Sequence, residues 1–215
     1  MKKRKFCIAL GLLAAFFLWT IAIRLIDMQA IGPQGSTVGF ATLNGFVHKL
    51  TGTHMILYVI TDWLGLVPVV FGFGFAMLGL VQWIKRKSIL KVDRSILFLG
   101  GFYIVTLAAY LFFETYVVNY RPVLIEGFLE ASYPSSTTLL VLCVMSTAIL
   151  QLRERIQQPM LRKCVSTAIT AFIAFMVIGR LISGVHWLTD IIGGILLSAG
   201  LVRIYDSLIG GKNNA

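Results

Sequence analysis

With 215 residues, 58% of them apolar and only 13% charged, and a mean hydropathy of +0.86, the chain departs from soluble domains, in which roughly a quarter of residues carry charge. The net charge of +10 would suit a nucleic-acid partner. However, the basic residues fall in short runs between apolar stretches and form no patch interleaved with aromatics, which excludes that class and leaves the membrane as the partner.

A membrane span needs roughly 20 mostly apolar residues, and six candidates follow in chain order. The first, about 6–26, comes after the basic head "MKKRK". Its apolar run exceeds the roughly 7–15 residues of a secretory signal and no small-x-small cleavage site follows, so it reads as a span. The next segment, 27–54, contains "STVGFATLNGFVHKL" (36–50). There Val38, Phe40, Leu43, Phe46, Val47 and Leu50 recur at helical spacing, predicting a short amphipathic helix on the membrane interface, capped by Ser36 or Thr37. His48 and His54 read as interfacial polar residues. The remaining spans are 55–83, 95–119, 137–151, 163–183 and 187–209. Between them lie "KRKSILKVDR" (85–94), "RER" (153–155) and "RK" (162–163). This basic bias puts both termini and the 84–94 and 152–163 loops in the cytoplasm, and 27–54, 120–136 and 184–187 outside. Cys7, Cys143 and Cys164 have neither metal nor redox spacing and read as apolar packing. The expected fold is an all-α membrane protein: one domain, residues 1–215 with its core at 55–209. It is a six-transmembrane helical bundle with cytoplasmic termini plus the interfacial helix.

Ionisable groups at membrane depth cost roughly 2.5–3.5 kcal/mol each on insertion scales and need a partner or a task. They are Arg24, Asp62, Glu114, Arg121, Arg180, His186 and Asp190, all in the outer half under this topology. Arg24 can snorkel from the end of the first span, and Asp62 reads as bonding a neighbouring helix. In "GRLISGVHWLTD" (179–190), His186 and Asp190 are four apart and would share a helix face. A carboxylate below the imidazole takes the Nδ1 proton and leaves Nε2 free as a nucleophile or base. Arg180 adds a fork suited to phosphate. Alone, the same three residues would also make a buried salt-bridged knot between helices.

The stretch "NYRPVLIEGFLEASYPSSTT" (119–138) adds a second cluster. Pro122 is expected to end the third helix and Pro134 to lie in the first turn of the fourth. Ser135, Ser136 and Thr137 then offer hydroxyls and free N–H groups at a helix N-terminus, an anion site. Arginines, a hydroxyl-rich helix start and an oriented histidine at one membrane face describe a phosphoryl site.

These motifs, in this order, resemble the type 2 phosphatidic acid phosphatase superfamily of membrane lipid phosphatases. The resemblance covers about 55–209. Its last motif fits Arg180, five residues, His186, three residues and Asp190, with Gly179 where the family has serine. Its first keeps Arg121-Pro122 but has Glu114 for the lysine. Its second keeps Pro134-Ser135, then Ser136-Thr137 for Gly-His. The resemblance implies that His186 attacks phosphorus, that Asp190 orients it, and that Arg121, Ser135 and Arg180 hold the phosphate oxygens, with no metal or cofactor. Ser136 belongs to the same phosphate-binding helix start. Thr137 cannot act as the family's general acid, whose contribution is typically roughly 10²–10⁴-fold. Glu114 has three open roles: an ion pair with Arg121 or Arg180, a substitute acid, or the mark of a degenerate site. Glu126 and Glu130 read as solvated, with Glu130 a weaker candidate acid. The implied substrate is a lipid phosphate or diphosphate of the undecaprenyl diphosphate, phosphatidylglycerophosphate or phosphatidate type, met at the outer face of a bacterial inner membrane. The alternative is a catalytically silent relative that binds a phospholipid head group or a membrane partner.

Overall fold

The computed structural model describes residues 2–210, and these form an all-helical bundle. Six helical stretches are long and apolar enough to cross a membrane. The helices are α1 (Lys2–Ile23), α2 (Ala41–Thr51), α3 (Met55–Leu64), α4 (Leu66–Arg86), α5 (Arg94–Thr115), α6 (Ser136–Arg155), α7 (Pro159–Ile182) and α8 (Leu188–Ile209). Helices α6 and α8 are the most buried, and α1 packs along α8 over most of its length.

The second span is two helices. Pro68 has no N–H to give the carbonyl four residues back and its ring crowds that carbonyl. That carbonyl belongs to Leu64, where α3 stops, and the chain turns through Gly65 before α4 begins. The break lets α3 lean on α7. A Cβ on Gly179 would lie 2.9 Å from Thr61 Cγ2, so the position where the resembled motif has a serine is here a tight contact between these helices.

Four boundaries differ from the sequence reading. Helix α2 starts at Ala41 because Phe40 adopts a left-handed conformation (φ 49°); neither Ser36 nor Thr37 caps it. Its outward face carries Leu43, Phe46 and Leu50. Its inward face carries the buried Asn44, which donates to Thr189 Oγ1 (2.9 Å) and accepts from Thr189 N–H (3.2 Å) at the start of α8. Helix α5 ends at Thr115, well before Pro122. Residues 119–131 instead fold back as a narrow loop, with antiparallel bridges Tyr120–Ala131 and Ile125–Phe128 turning through Glu126 (φ 50°) and Gly127 (φ 86°). Finally, Pro134 precedes α6, whose cap is Ser135: its Oγ accepts from Thr138 N–H at 3.5 Å. Helix α7 begins at Pro159, so Arg162 and Lys163 are helical.

Candidate active site

The site gathers where α7 ends and α8 begins, covered by α3 and by the 116–135 loop. Arg180 lies in the last turn of α7 and is 1% exposed. The turn after it is pinned: Gly184 has φ +68° and its missing side chain leaves room for Gly52 O, 1.9 Å from where a Cβ would stand. His54 N–H donates to Ser183 O at 2.9 Å. His48 Nε2 lies 3.1 Å from Gly184 O, so both interfacial histidines brace the turn that presents His186.

His186 does not share a helix face with Asp190, because it precedes the helix. Trp187 is the cap of α8 and Asp190 is its third residue. A carboxylate at that position folds back toward the cap, and Asp190 Oδ2 accepts from Trp187 N–H at 3.0 Å. Asp190 Oδ1 accepts from Asn119 Nδ2 at 3.1 Å. Between the carboxylate and the imidazole stands Ser132, which donates to Asp190 Oδ2 at 2.5 Å and lies 3.0 Å from His186 Nδ1. Asn119 O accepts from Ser132 N–H at 2.9 Å, tying the loop to the carboxylate. Among the described residues, Asp190 makes no direct hydrogen bond to the imidazole.

On its other side, His186 Nε2 faces Arg180 Nη2 at 3.4 Å. Arg180 Nη1 donates to Thr61 Oγ1 (3.4 Å) and lies 3.7 Å from Asp62 Oδ1. Arg121 approaches from the loop, its guanidinium 5.9 Å from the Tyr58 ring centroid, while that of Arg180 is 4.9 Å from the same ring. Both cations therefore meet over one aromatic ring from α3. Arg121 Nη1 and Arg180 Nε are buried and have no hydrogen-bond partner among the described residues. Buried donors without partners are costly, and these two forks have the charge and geometry that can receive an anion. Burial, and then the charges of Arg121 and Arg180, hold the His186 imidazole well below the ordinary histidine range.

The other candidate residues are placed as follows. Ser135 N–H donates to Asp190 O at 3.1 Å, and Ser136 opens α6 on the wall of a small cavity shared with Glu114, Ser132, Tyr133 and Pro134. Thr137 is half-buried on the first turn of α6. Glu114 is exposed and pairs with neither arginine. Instead Glu130, expected to be solvated, forms the ion pair: its Oε2 lies 3.1 Å from Arg121 Nε. Asp62 stands beside Arg180, and Arg24 donates from its exposed position to Val117 O at 3.0 Å. Sequence reasoning missed Ser132, Asn119 and Tyr58. Only Ser132 carried a local signal, a buried hydroxyl two residues before the Pro134-Ser135 motif. No group of three or more His, Cys, Asp and Glu side chains forms a metal-like cluster among the described residues.

The chain is thus a multi-span helical membrane protein whose buried imidazole lies beside one guanidinium, with a second guanidinium near the same aromatic ring. The chain belongs to the PAP2 superfamily, whose model matches residues 95–210. No curated protein matches the sequence. Among solved structures it is similar in fold to "the first transmembrane PAP2 type phosphatidylglycerolphosphate phosphatase from Bacillus subtilis". The two share 17% identity with a TM-score of 0.56, covering 96% of this chain and 98% of that one.

Proposed function

We propose that the protein is a membrane lipid phosphatase that cleaves a lipid phosphate or diphosphate at the extracytoplasmic face of the membrane through a phosphohistidine. Family membership supports a lipid phosphatase in general terms. The observation that carries the finer reading is the single point at which His186 Nε2 and the arginine forks converge. A phosphoryl group seated there has its non-bridging oxygens against Arg180, Arg121 and the N–H groups opening α6, donors fixed before charge develops. His186 Nε2 gives its lone pair to phosphorus as the bond to the leaving oxygen breaks, and the leaving group keeps that electron pair. Water then attacks phosphorus, the Nε2–P bond breaks, and inorganic phosphate departs.

Thr137 supplies no acid for the leaving oxygen near neutral pH. An alkoxide needs that proton far more than a phosphate does, so a polyprenyl diphosphate ranks before phosphatidylglycerophosphate and phosphatidate as substrate. The bacterial inner membrane, with the site facing outward, fits the distribution of basic loops.

A second reading, a silent relative that binds a head group, is favoured by two observations: Glu114 replaces the motif lysine, and Glu130 already engages Arg121. One experiment separates them. The purified protein is offered diphosphate and monophosphate lipids, with and without a metal chelator, and released phosphate is measured. Release that the chelator leaves intact and His186→Ala abolishes is expected. Release undiminished by that substitution rules out the nucleophile. Release that appears only after Glu114→Lys with Thr137→His identifies the silent relative.

A further inference from the structure

We propose that Ser132 is a positioning residue, the group through which Asp190 controls the proton on His186. The direction of each hydrogen bond follows from chemistry. An ionised carboxylate only accepts, and Asp190 Oδ2 lies 2.5 Å from Ser132 Oγ, so the serine proton points to Asp190. The serine oxygen then presents a lone pair to His186 Nδ1, 3.0 Å away. That lone pair selects the tautomer with the proton on Nδ1 and leaves Nε2 bare beside Arg180. All three residues are buried, at 2%, 3% and 0% exposure for Ser132, His186 and Asp190, so water does not substitute for any link. Asn119 fixes both ends, holding Asp190 Oδ1 with its side chain and the Ser132 N–H with its backbone carbonyl.

The arrangement makes the influence of Asp190 conditional on Ser132. With Asp190→Ala, the Ser132 hydroxyl loses the oxygen it donates to. The serine proton turns toward Nδ1, and the imidazole proton moves to Nε2, where it blocks attack. With Ser132→Ala, the hydroxyl link is removed and the identity of residue 190 no longer reaches the imidazole.

The role in turnover rests on the lipid phosphatase reading; the tautomer does not. The test is therefore a double-substitution cycle joined to ¹⁵N NMR of histidine-labelled protein in detergent, where only three histidines contribute. Ser132→Ala is expected to lower kcat roughly 10–100-fold with little change in KM, and Asp190→Ala at least as much. The double variant should fall no more than about threefold below the weaker single variant, because residues acting as one unit are non-additive. Ser132→Cys, which keeps the volume and a weak donor, should recover part of the loss. The His186 spectrum of the unsubstituted protein should show protonated Nδ1 and bare Nε2, shifting to protonated Nε2 in Asp190→Ala. Additive losses, or a protonated Nε2 in the unsubstituted protein, overturn the relay. If that protein releases no lipid phosphate, the functional reading fails while the spectra still decide the relay, including for variants checked as folded by the same resonances.

Discussion

Replacing Tyr58 with leucine isolates what the aromatic ring does for the two arginines. A guanidinium over a ring contributes about 0.5–1 kcal/mol at exposed sites and about 2 kcal/mol when desolvated. Arg180, fully buried and 4.9 Å from the ring centroid, belongs to the second case. Arg121, at 5.9 Å, sits at the outer limit of the interaction and merits about 0.5 kcal/mol. The ring thus offsets part of the repulsion between two like charges by about 2.5 kcal/mol, roughly a 70-fold effect on an equilibrium. Leucine keeps most of the apolar contact but not the negative face of the ring. Tyr58→Leu should therefore weaken inhibition by orthovanadate, a mimic of the transferring phosphoryl group, and lower kcat/KM by roughly 10–70-fold. Tyr58→Phe, which retains the face, should stay within about threefold of the parent. The argument is refuted if the leucine variant binds vanadate as well as the parent does, or if phenylalanine is as damaging as leucine.

Three further outcomes follow from the turn that carries the imidazole. His186 must be neutral to attack, and its folded-state affinity for a proton is depressed, so the acidic limb of the kcat/KM profile should lie below the ordinary value of 6.5; a half-maximum at or above it would contradict the buried geometry. By the same sign, the unfolded chain binds the proton first, so stability is complete above that value and declines as pH falls below it. Gly184→Ala should destabilise the protein by about 2–4 kcal/mol, the sum of a left-handed backbone penalty and a clash with Gly52, seen as a lower thermal midpoint in detergent together with lower turnover.

How far the sequence reveals this molecule depends on the range of the interaction concerned. Hydropathy marks all six spans because each lipid-facing turn must be apolar, whatever it packs against. The break at Gly65 was there to be read from Pro68, whose effect on Leu64 is purely local. His186 and Asp190 do not share the helix face that their spacing predicts. Spacing of four residues places side chains together only inside a helix, and α8 begins after His186. Asn119 and Tyr58 enter the site by tertiary folding alone, from a loop and a helix distant in sequence, and Ser132 is marked only by its place two residues before Pro134. No periodicity could reveal them. The exchange of partners at Arg121 has the same origin: Glu114 precedes it by two helical turns only if α5 continues, and the helix stops at Thr115, leaving Glu130 to cross the hairpin-like loop.

Asp190 bears on this last point, since one of its oxygens both closes the first turn of α8 and anchors the serine hydroxyl. Scaffold and chemistry are therefore inherited as a unit at that atom, and exchanging the residue frays the helix at the moment it disturbs the imidazole. Glu114, on an open face, and Thr137, half-covered on α6, carry no comparable double duty. Divergence in this architecture has its freedom there, where a side chain can be replaced without the bundle registering the change.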